Sequence, residues 1–270
     1  YSASPYIGCQ YGCLYCYEWD RKYNPYSDPE DFDKITQIKD NAPELLRKEL
    51  RDKPIDIITI GDWQPAEARY GLSREMLQII LDLGFPLFIN EKSPLVLRDL
   101  DLIKKINDKA YANIGFSIIT AKDDKTRRIF EPKAPTVISR FEAMKIFSKE
   151  GISTGTVFMP ILPYIYDKDE NLEEVVKKTK ESGGDYVLDA SLTLWGYCKT
   201  KFYHALEEFD PNLIPKYEIL YSNERFLRNY YQEIHKKILR LCERYEILNY
   251  IPRPTKFYPQ NVRLNKEIAS

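Results

Sequence analysis

Three cysteines fall within eight residues, Cys9, Cys13 and Cys16, in the segment Gly8-Cys9-Gln10-Tyr11-Gly12-Cys13-Leu14-Tyr15-Cys16-Tyr17. The spacing is Cys-x3-Cys-x2-Cys. Thiolates are soft ligands, and three on one short loop can each take one iron of a cubane [4Fe–4S] cluster. The fourth iron is then left open for a ligand that the protein does not supply. Gly8 and Gly12 suit a backbone wrapped tightly around inorganic sulfides. Zinc is the competing metal, but structural zinc closes with four ligands, commonly as separated Cys-x2-Cys pairs. Here the fourth would have to be Cys198, Cys242, His204 or His235, none of which forms a matching pair. A ferredoxin would want four clustered cysteines. The total of five cysteines is odd and three are clustered, which reads as metal chemistry rather than a disulfide framework.

The loop needs a scaffold, and the rest of the chain predicts one. Ile55–Ile60 is a β-branched run closed by Gly61, and Pro86–Asn90, Asn113–Ile119, Ile152–Met159 and Tyr186–Leu192 read as further strands. Pro160 is expected to end the fourth of these. Between them lie amphipathic stretches with helical spacing: Ser73–Leu83 with Ser73 as N-cap, Leu95–Asp108, Thr136–Glu150 stopped by Gly151, and Asn171–Ser182 stopped by Gly183-Gly184. With a first strand near Ser4–Ile7, the count is six. Alternating β and α elements about 30 residues apart predict a parallel sheet with helical crossovers. Six units fall short of a full TIM barrel, so the expected fold is α/β, a partial (β/α)6 TIM-like barrel. Its expected extent is 1–194, with the cluster loop at 8–17 following the first strand, where barrel active sites sit. Residues 195–270 form the expected C-terminal helical extension, with Lys216–Tyr245 mostly helical, breaks at Pro252 and Pro254, and a polar tail.

Composition limits the alternatives. The 270 residues are 43% hydrophobic and 30% charged, with net charge −1, enough for a real core and too balanced for a general nucleic-acid coat protein. No stretch reaches the roughly 18 apolar residues of a membrane span. The chain begins at Tyr1, which reads as a trimmed start, and without a visible signal peptide the expected compartment is cytoplasmic.

The cysteine motif resembles the signature of the radical S-adenosylmethionine (SAM) superfamily. Further segments resemble its spore photoproduct lyase-like branch: Tyr15-Cys16-Tyr17, Gln64-Pro65-Ala66-Glu67, Lys92-Ser93-Pro94-Leu95, Phe116-Ser117-Ile118, Glu131-Pro132 with Ala134-Pro135 and Arg140, and Met159-Pro160-Ile161. The resemblance implies that SAM chelates the open iron and is cleaved reductively to a 5′-deoxyadenosyl radical, which abstracts hydrogen from a substrate. It also implies an electron donor of flavodoxin or ferredoxin type. Lys92 and Ser117 match a strand-end Lys and Ser that touch SAM, and an ammonium and a hydroxyl suit its carboxylate and ribose. Tyr15 would pack on the adenine, and Asp62 or nearby backbone would hold the amino group. Gln64, Arg140 and Met159 complete the SAM contacts that the resemblance suggests. Tyr15 and Tyr17 match the tyrosines flanking the last cluster Cys, which relay hydrogen atoms in the lyase, with packing around the cluster as the alternative role.

One departure stands out. The lyase carries a hydrogen-donor Cys after its second strand, and here no Cys lies between Asp62 and Tyr70. Cys198 is the thiol that could replace it, with a plain buried thiol as the alternative. Cys242, at helical spacing with Leu239, reads as core, and His204 and His235 as surface or capping residues. The substrate class stays open between nucleic acid and a small metabolite or peptide. Arg225, Arg228, Lys236, Lys237, Arg240 and Arg244, with interleaved aromatics, could contact phosphates, but Glu224, Glu233, Glu243 and Glu246 are mixed in, as on a solvated helix face. An iron–sulfur or zinc-stapled binding or electron-transfer protein is the non-enzymatic alternative. It predicts no SAM binding and no pocket at the strand ends.

Overall fold

The structure is a computed structural model and describes residues 1–253. Six strands form one all-parallel sheet in the order β1 (Ser2–Ala3), β4 (Ile58–Ile60), β5 (Leu87–Glu91), β6 (Ala112–Ser117), β7 (Ser153–Ile161) and β8 (Tyr186–Ser191). A small antiparallel pair, β2 (Tyr6–Ile7) and β3 (Gln37–Ile38), flanks the cysteine loop. The crossover helices are α3 (Leu72–Leu83), α4 (Leu100–Lys109), α6 (Val137–Lys149) and α7 (Asp169–Glu181), joined by α1 (Ala42–Leu50), α2 (Pro65–Tyr70) and α5 (Lys125–Phe130). Apolar faces of these helices and the sheet share a core that includes Ile60, Ile89, Ile114, Phe116, Phe147 and Phe158. This is the expected partial barrel, and α1 is a helix that sequence periodicity left unassigned.

Several boundaries move for physical reasons. The expected first strand at Ser4–Ile7 is split by Pro5, which fixes φ and lacks an N–H. Ser2–Ala3 pairs with β4 on one side of it, and Tyr6–Ile7 pairs with β3 on the other. Ser73 is not an N-cap: α3 starts at Leu72, and the Glu67 carboxylate takes the amides of Ser73 (2.9 Å) and Arg74 (3.3 Å). The helix expected at Leu95–Asp108 begins with a 3-10 turn, Pro94–Asp99, before α4. Pro160 does not end its strand. The pairing of β7 with β8 shifts register between Phe158 and Ile161, and a proline is tolerated at such an irregularity because no ladder N–H is required there.

The expected helical extension follows the barrel as α8 (Gly196–Phe209), α9 (Ile214–Tyr221) and α10 (Glu224–Arg244), and helix begins ahead of the Lys216–Tyr245 stretch. These helices pack on the barrel. Ile234, Ile238 and Cys242 of α10 enter the main core, and His235 Nδ1 lies 3.0 Å from Asp189 of β8. From α8, Lys201 sits 4.5 Å over the Trp19 ring and 3.0 Å from Glu30, while Phe202 packs 5.5 Å from Phe130. The extension thus covers the back of the cysteine loop. The tail from Pro254, expected to be polar and broken by that proline, lies outside the described residues. Among the described residues no helix is long and apolar enough to cross a membrane.

Candidate active site

The loop after β2 is built by local bonds. Gly12 N–H donates to the Cys9 carbonyl (3.2 Å) and Cys16 N–H to the Cys13 carbonyl (3.1 Å), while Cys9 N–H reaches Phe32 O and Leu14 N–H reaches Phe130 O, both at 2.9 Å. Both loop glycines hold positive φ, and their crowding comes from protein. A Cβ on Gly8 would lie 2.3 Å from Ile35 O, and one on Gly12 2.6 Å from Asp33 Oδ2. Trp19 Nε1 donates to Cys13 O at 3.0 Å from beneath.

The loop is clasped to the turn after β4 by two amide side chains. Gln10 N–H donates to Gln64 Oε1 (2.9 Å), Gln64 Nε2 to Gly8 O (3.0 Å), and Ala66 N–H to Gln10 Oε1 (2.7 Å). Tyr11 adds a bond to Trp63 O at 2.9 Å. Glu91, at the end of β5, accepts from the amides of Trp63 (2.7 Å), Lys92 (2.7 Å) and Ser93 (3.1 Å). Burial pushes the Glu91 carboxyl above its ordinary range, with those three amides acting against it.

A cavity of about 600 Å³ opens between this loop and the strand ends, within the roughly 300–1,000 Å³ typical of small-ligand sites. Cys9, Cys13 and Cys16 line it from the loop side. Asp62, Lys92 and Ser117 line it from the C-terminal ends of β4, β5 and β6. Lys92 Nζ donates to Ser117 Oγ at 2.6 Å and lies 5.6 Å from the Tyr15 ring centroid. Asp62 adopts φ 77° and accepts from the Ser4 hydroxyl. Burial raises the Asp62 carboxyl to about 7. Tyr17 stands on the cavity wall, 48% exposed and edge-on to Tyr23 at 5.1 Å.

The three thiols are buried enough to be held protonated while metal-free. Burial pushes Cys13 up to about 11, with the Lys92 ammonium acting against it, and raises Cys9 and Cys16 as well. A metal competes with those protons, so binding is coupled to their release. Among the described residues no three or more His, Cys, Asp and Glu side chains converge on a single ion. The thiols instead share the wall of one cavity. That arrangement is poor for one zinc and fits a polynuclear cluster in which each thiolate takes a different iron.

The radical SAM superfamily model matches residues 3–183 of the chain. The chain belongs to the radical SAM superfamily. Membership makes it an enzyme and implies SAM and an iron–sulfur cluster. An uncharacterised protein of Methanocaldococcus jannaschii is 30% identical over 236 residues, covering 87% of this chain and 84% of that protein. The fold resembles a mutant spore photoproduct lyase solved with dinucleoside spore photoproduct, with TM-score 0.63 and 16% identity over 91% of this chain and 74% of that one. It also resembles SuiB of Streptococcus suis bound to its precursor peptide SuiA, with TM-score 0.52 and 19% identity. That match covers 80% of this chain but 46% of SuiB, so the chain spans less than half of SuiB's length.

The structure of this radical SAM enzyme brings together most of the residues singled out from sequence and removes three from the cavity wall. Cys198 is fully buried at the start of α8, packed with Trp19, Tyr26 and Phe32, and its thiol donates to Trp195 O at 2.9 Å. That packed group rests against Cys9 and Cys16, and Cys198 is not among the residues lining the cavity. Arg140 is also fully buried; its guanidinium bonds Ser117 O (2.9 Å), Pro135 O (2.7 Å) and Glu131 (2.5 Å). Met159 is not among the residues lining the cavity, though its carbonyl accepts from Ser117 Oγ at 3.4 Å. Gln64 does line the cavity, but both ends of its amide are engaged by the loop backbone, which makes it a clasp. Cys242 is core, as its helical spacing indicated. Glu91 and Glu131, whose carboxylates hold the turn after β4 and the Tyr15 side chain, were not among the site residues expected from sequence. The available signals were an acid closing the apolar run Leu87–Asn90 and the Glu131-Pro132 segment.

Proposed function

We propose that the chain holds one [4Fe–4S] cluster on Cys9, Cys13 and Cys16 and binds SAM in the adjoining space between Tyr15, Asp62, Lys92 and Ser117. The observation that supports this reading is the shared cavity: three thiols face a cation and a carboxylate that stand on successive strand ends. When bound, the cluster supplies the electron that splits the sulfonium of SAM into methionine and a 5′-deoxyadenosyl radical. The chain's own residues orient and shield that chemistry. The Lys92 ammonium is placed for the methionine carboxylate and the Asp62 carboxylate for its amino group. An ammonium brought against Asp62 lowers a carboxyl that burial has raised, so SAM and the ionised form favour each other. The buried Tyr15 offers a ring face to the adenine, and Trp63, Tyr11 and Glu91 seal the floor against water.

The substrate enters from the side where Tyr17 and Tyr23 are exposed, and the electron comes from a flavodoxin or ferredoxin-type donor in the cytoplasm. A small metabolite or a peptide fits the near-neutral charge better than duplex nucleic acid does. The test is iron and sulfide analysis after anaerobic reconstitution, with electron paramagnetic resonance (EPR) of the reduced protein before and after SAM. About four irons and four sulfides per chain, and a spectrum that changes with SAM, are expected. Stoichiometric zinc without sulfide would refute the reading.

A further inference from the structure

Behind the cavity wall lies an ion pair with no contact to the cavity itself. Glu131 follows α5, Arg140 lies in α6, and both side chains are fully buried, with Arg140 Nη2 2.5 Å from Glu131 Oε2. Burial would push the Glu131 carboxyl up, but the Arg140 guanidinium, with the Lys92 ammonium and the Tyr15 hydroxyl, more than offsets it and holds the group at about 2. The carboxylate also accepts the Tyr15 hydroxyl, and Tyr15 stands between Cys13 and Cys16 on the loop. The guanidinium donates to Ser117 O (2.9 Å) at the end of β6 and to Pro135 O (2.7 Å). Ser117 Oγ, on the same residue, accepts from Lys92 Nζ. One buried charge pair therefore joins the metal loop to the strand ends that carry the Lys92–Ser117 contact.

We propose that Glu131 and Arg140 are positioning residues for SAM, an inference that rests on the function proposed above. The carboxylate fixes the Tyr15 ring, the guanidinium fixes the Ser117 backbone, and together they set the width of the gap between Tyr15 and Lys92–Ser117. The arrangement suits that task better than stability. A buried ion pair is often no more stabilising than apolar residues of equal volume, because both ions must leave water. A planar guanidinium that donates to a carboxylate and two carbonyls at once fixes directions that apolar packing does not.

The same property supplies the experiment. The double variant Glu131→Leu with Arg140→Met replaces the pair with apolar groups; the buried Arg127, 3.5 Å from Glu131, keeps Asp123 at 3.2 Å, so no buried charge is left alone. Tyr15→Phe is the second variant: it keeps the ring and the ion pair and removes only the tether. Thermal unfolding, iron and sulfide content, SAM affinity by equilibrium dialysis, and the SAM-induced change in the EPR spectrum are measured on each reconstituted protein. Both variants are expected to retain about four irons per chain. Both should bind SAM roughly tenfold or more weakly, with a SAM-induced spectral change that is altered or absent. If the double variant fails to fold, Tyr15→Phe decides. Variants that keep the cluster and bind SAM as tightly as the wild type, with the same spectrum, would show the pair to be structural and overturn the inference. A wild-type protein that takes up no cluster or no SAM would overturn the function on which the inference rests, so the two failures are distinguishable.

Discussion

Replacing Lys92 by Met keeps the aliphatic stem and removes the ammonium. In the structure Nζ makes a hydrogen bond to Ser117 Oγ at 2.6 Å and stands 5.6 Å from the Tyr15 ring, in the wall of the cavity. An ammonium has three donors, and Ser117 uses one, which leaves hydrogens for a ligand carboxylate. A charge-assisted bond of that kind contributes about 1.5–3 kcal/mol, so SAM should bind about 10- to 160-fold more weakly. The fold should lose little. Lys92 is only half-buried and its contact with Tyr15 is worth about 0.5–1 kcal/mol. The cluster should survive, because the thiols keep their loop bonds and a bound metal, not Lys92, displaces their protons. The assay is equilibrium dialysis of SAM against reconstituted protein under anaerobic conditions, with iron content and melting temperature measured alongside. Unchanged SAM affinity at full iron content would refute the assignment of Lys92 to the carboxylate.

Three further outcomes follow from the same geometry. Alanine at Cys9, Cys13 or Cys16 should abolish the brown chromophore of reconstituted protein, whereas alanine at Cys198 or Cys242 should lower the melting temperature and leave the chromophore intact, as absorbance and calorimetry would show. Asp62→Asn should stabilise the metal-free protein at pH 8 and change little at pH 4. The folded carboxyl is raised to about 7, so its ionisation opposes folding increasingly between about pH 4 and 7, and urea titrations across that range test the slope. Asn also tolerates the positive φ at this position. Finally, the protein should not repair spore photoproduct: the turn after β4 is Gly61-Asp62-Trp63-Gln64-Pro65 without a thiol, and Cys198 is buried behind the metal loop. Catalytic recovery of thymine from a photoproduct dinucleotide would contradict this.

The parts of the site that were legible in the sequence are those fixed by short-range spacing. Cys9, Cys13 and Cys16 are neighbours in the chain, so any compact loop brings them together. Lys92 and Ser117 could be placed because they match the strand-end Lys and Ser of the family branch that the chain resembles, and parallel strands bring their C-terminal ends to one face. What could not be read depends on which way a polar side chain turns after the chain has packed. Arg140 occurs on a helix whose inner face meets both the core and the site, and periodicity does not separate a guanidinium aimed at a ligand from one aimed at Glu131. Cys198 follows the last strand, from whose end a thiol could face the site, but α8 turns it against Trp19. Pro160 reads as a strand stop because sequence carries no sign of the register shift that accommodates it.

The central claim is that this cavity cleaves SAM, and the measurement closest to it is chromatography of an anaerobic reaction containing reconstituted protein, SAM and dithionite. 5′-Deoxyadenosine should accumulate with wild-type protein and fall to the background of dithionite and SAM alone with Cys16→Ala. No 5′-deoxyadenosine above that background from protein carrying its full iron and sulfide, in the absence or presence of a cell extract as a source of substrate, would contradict the account.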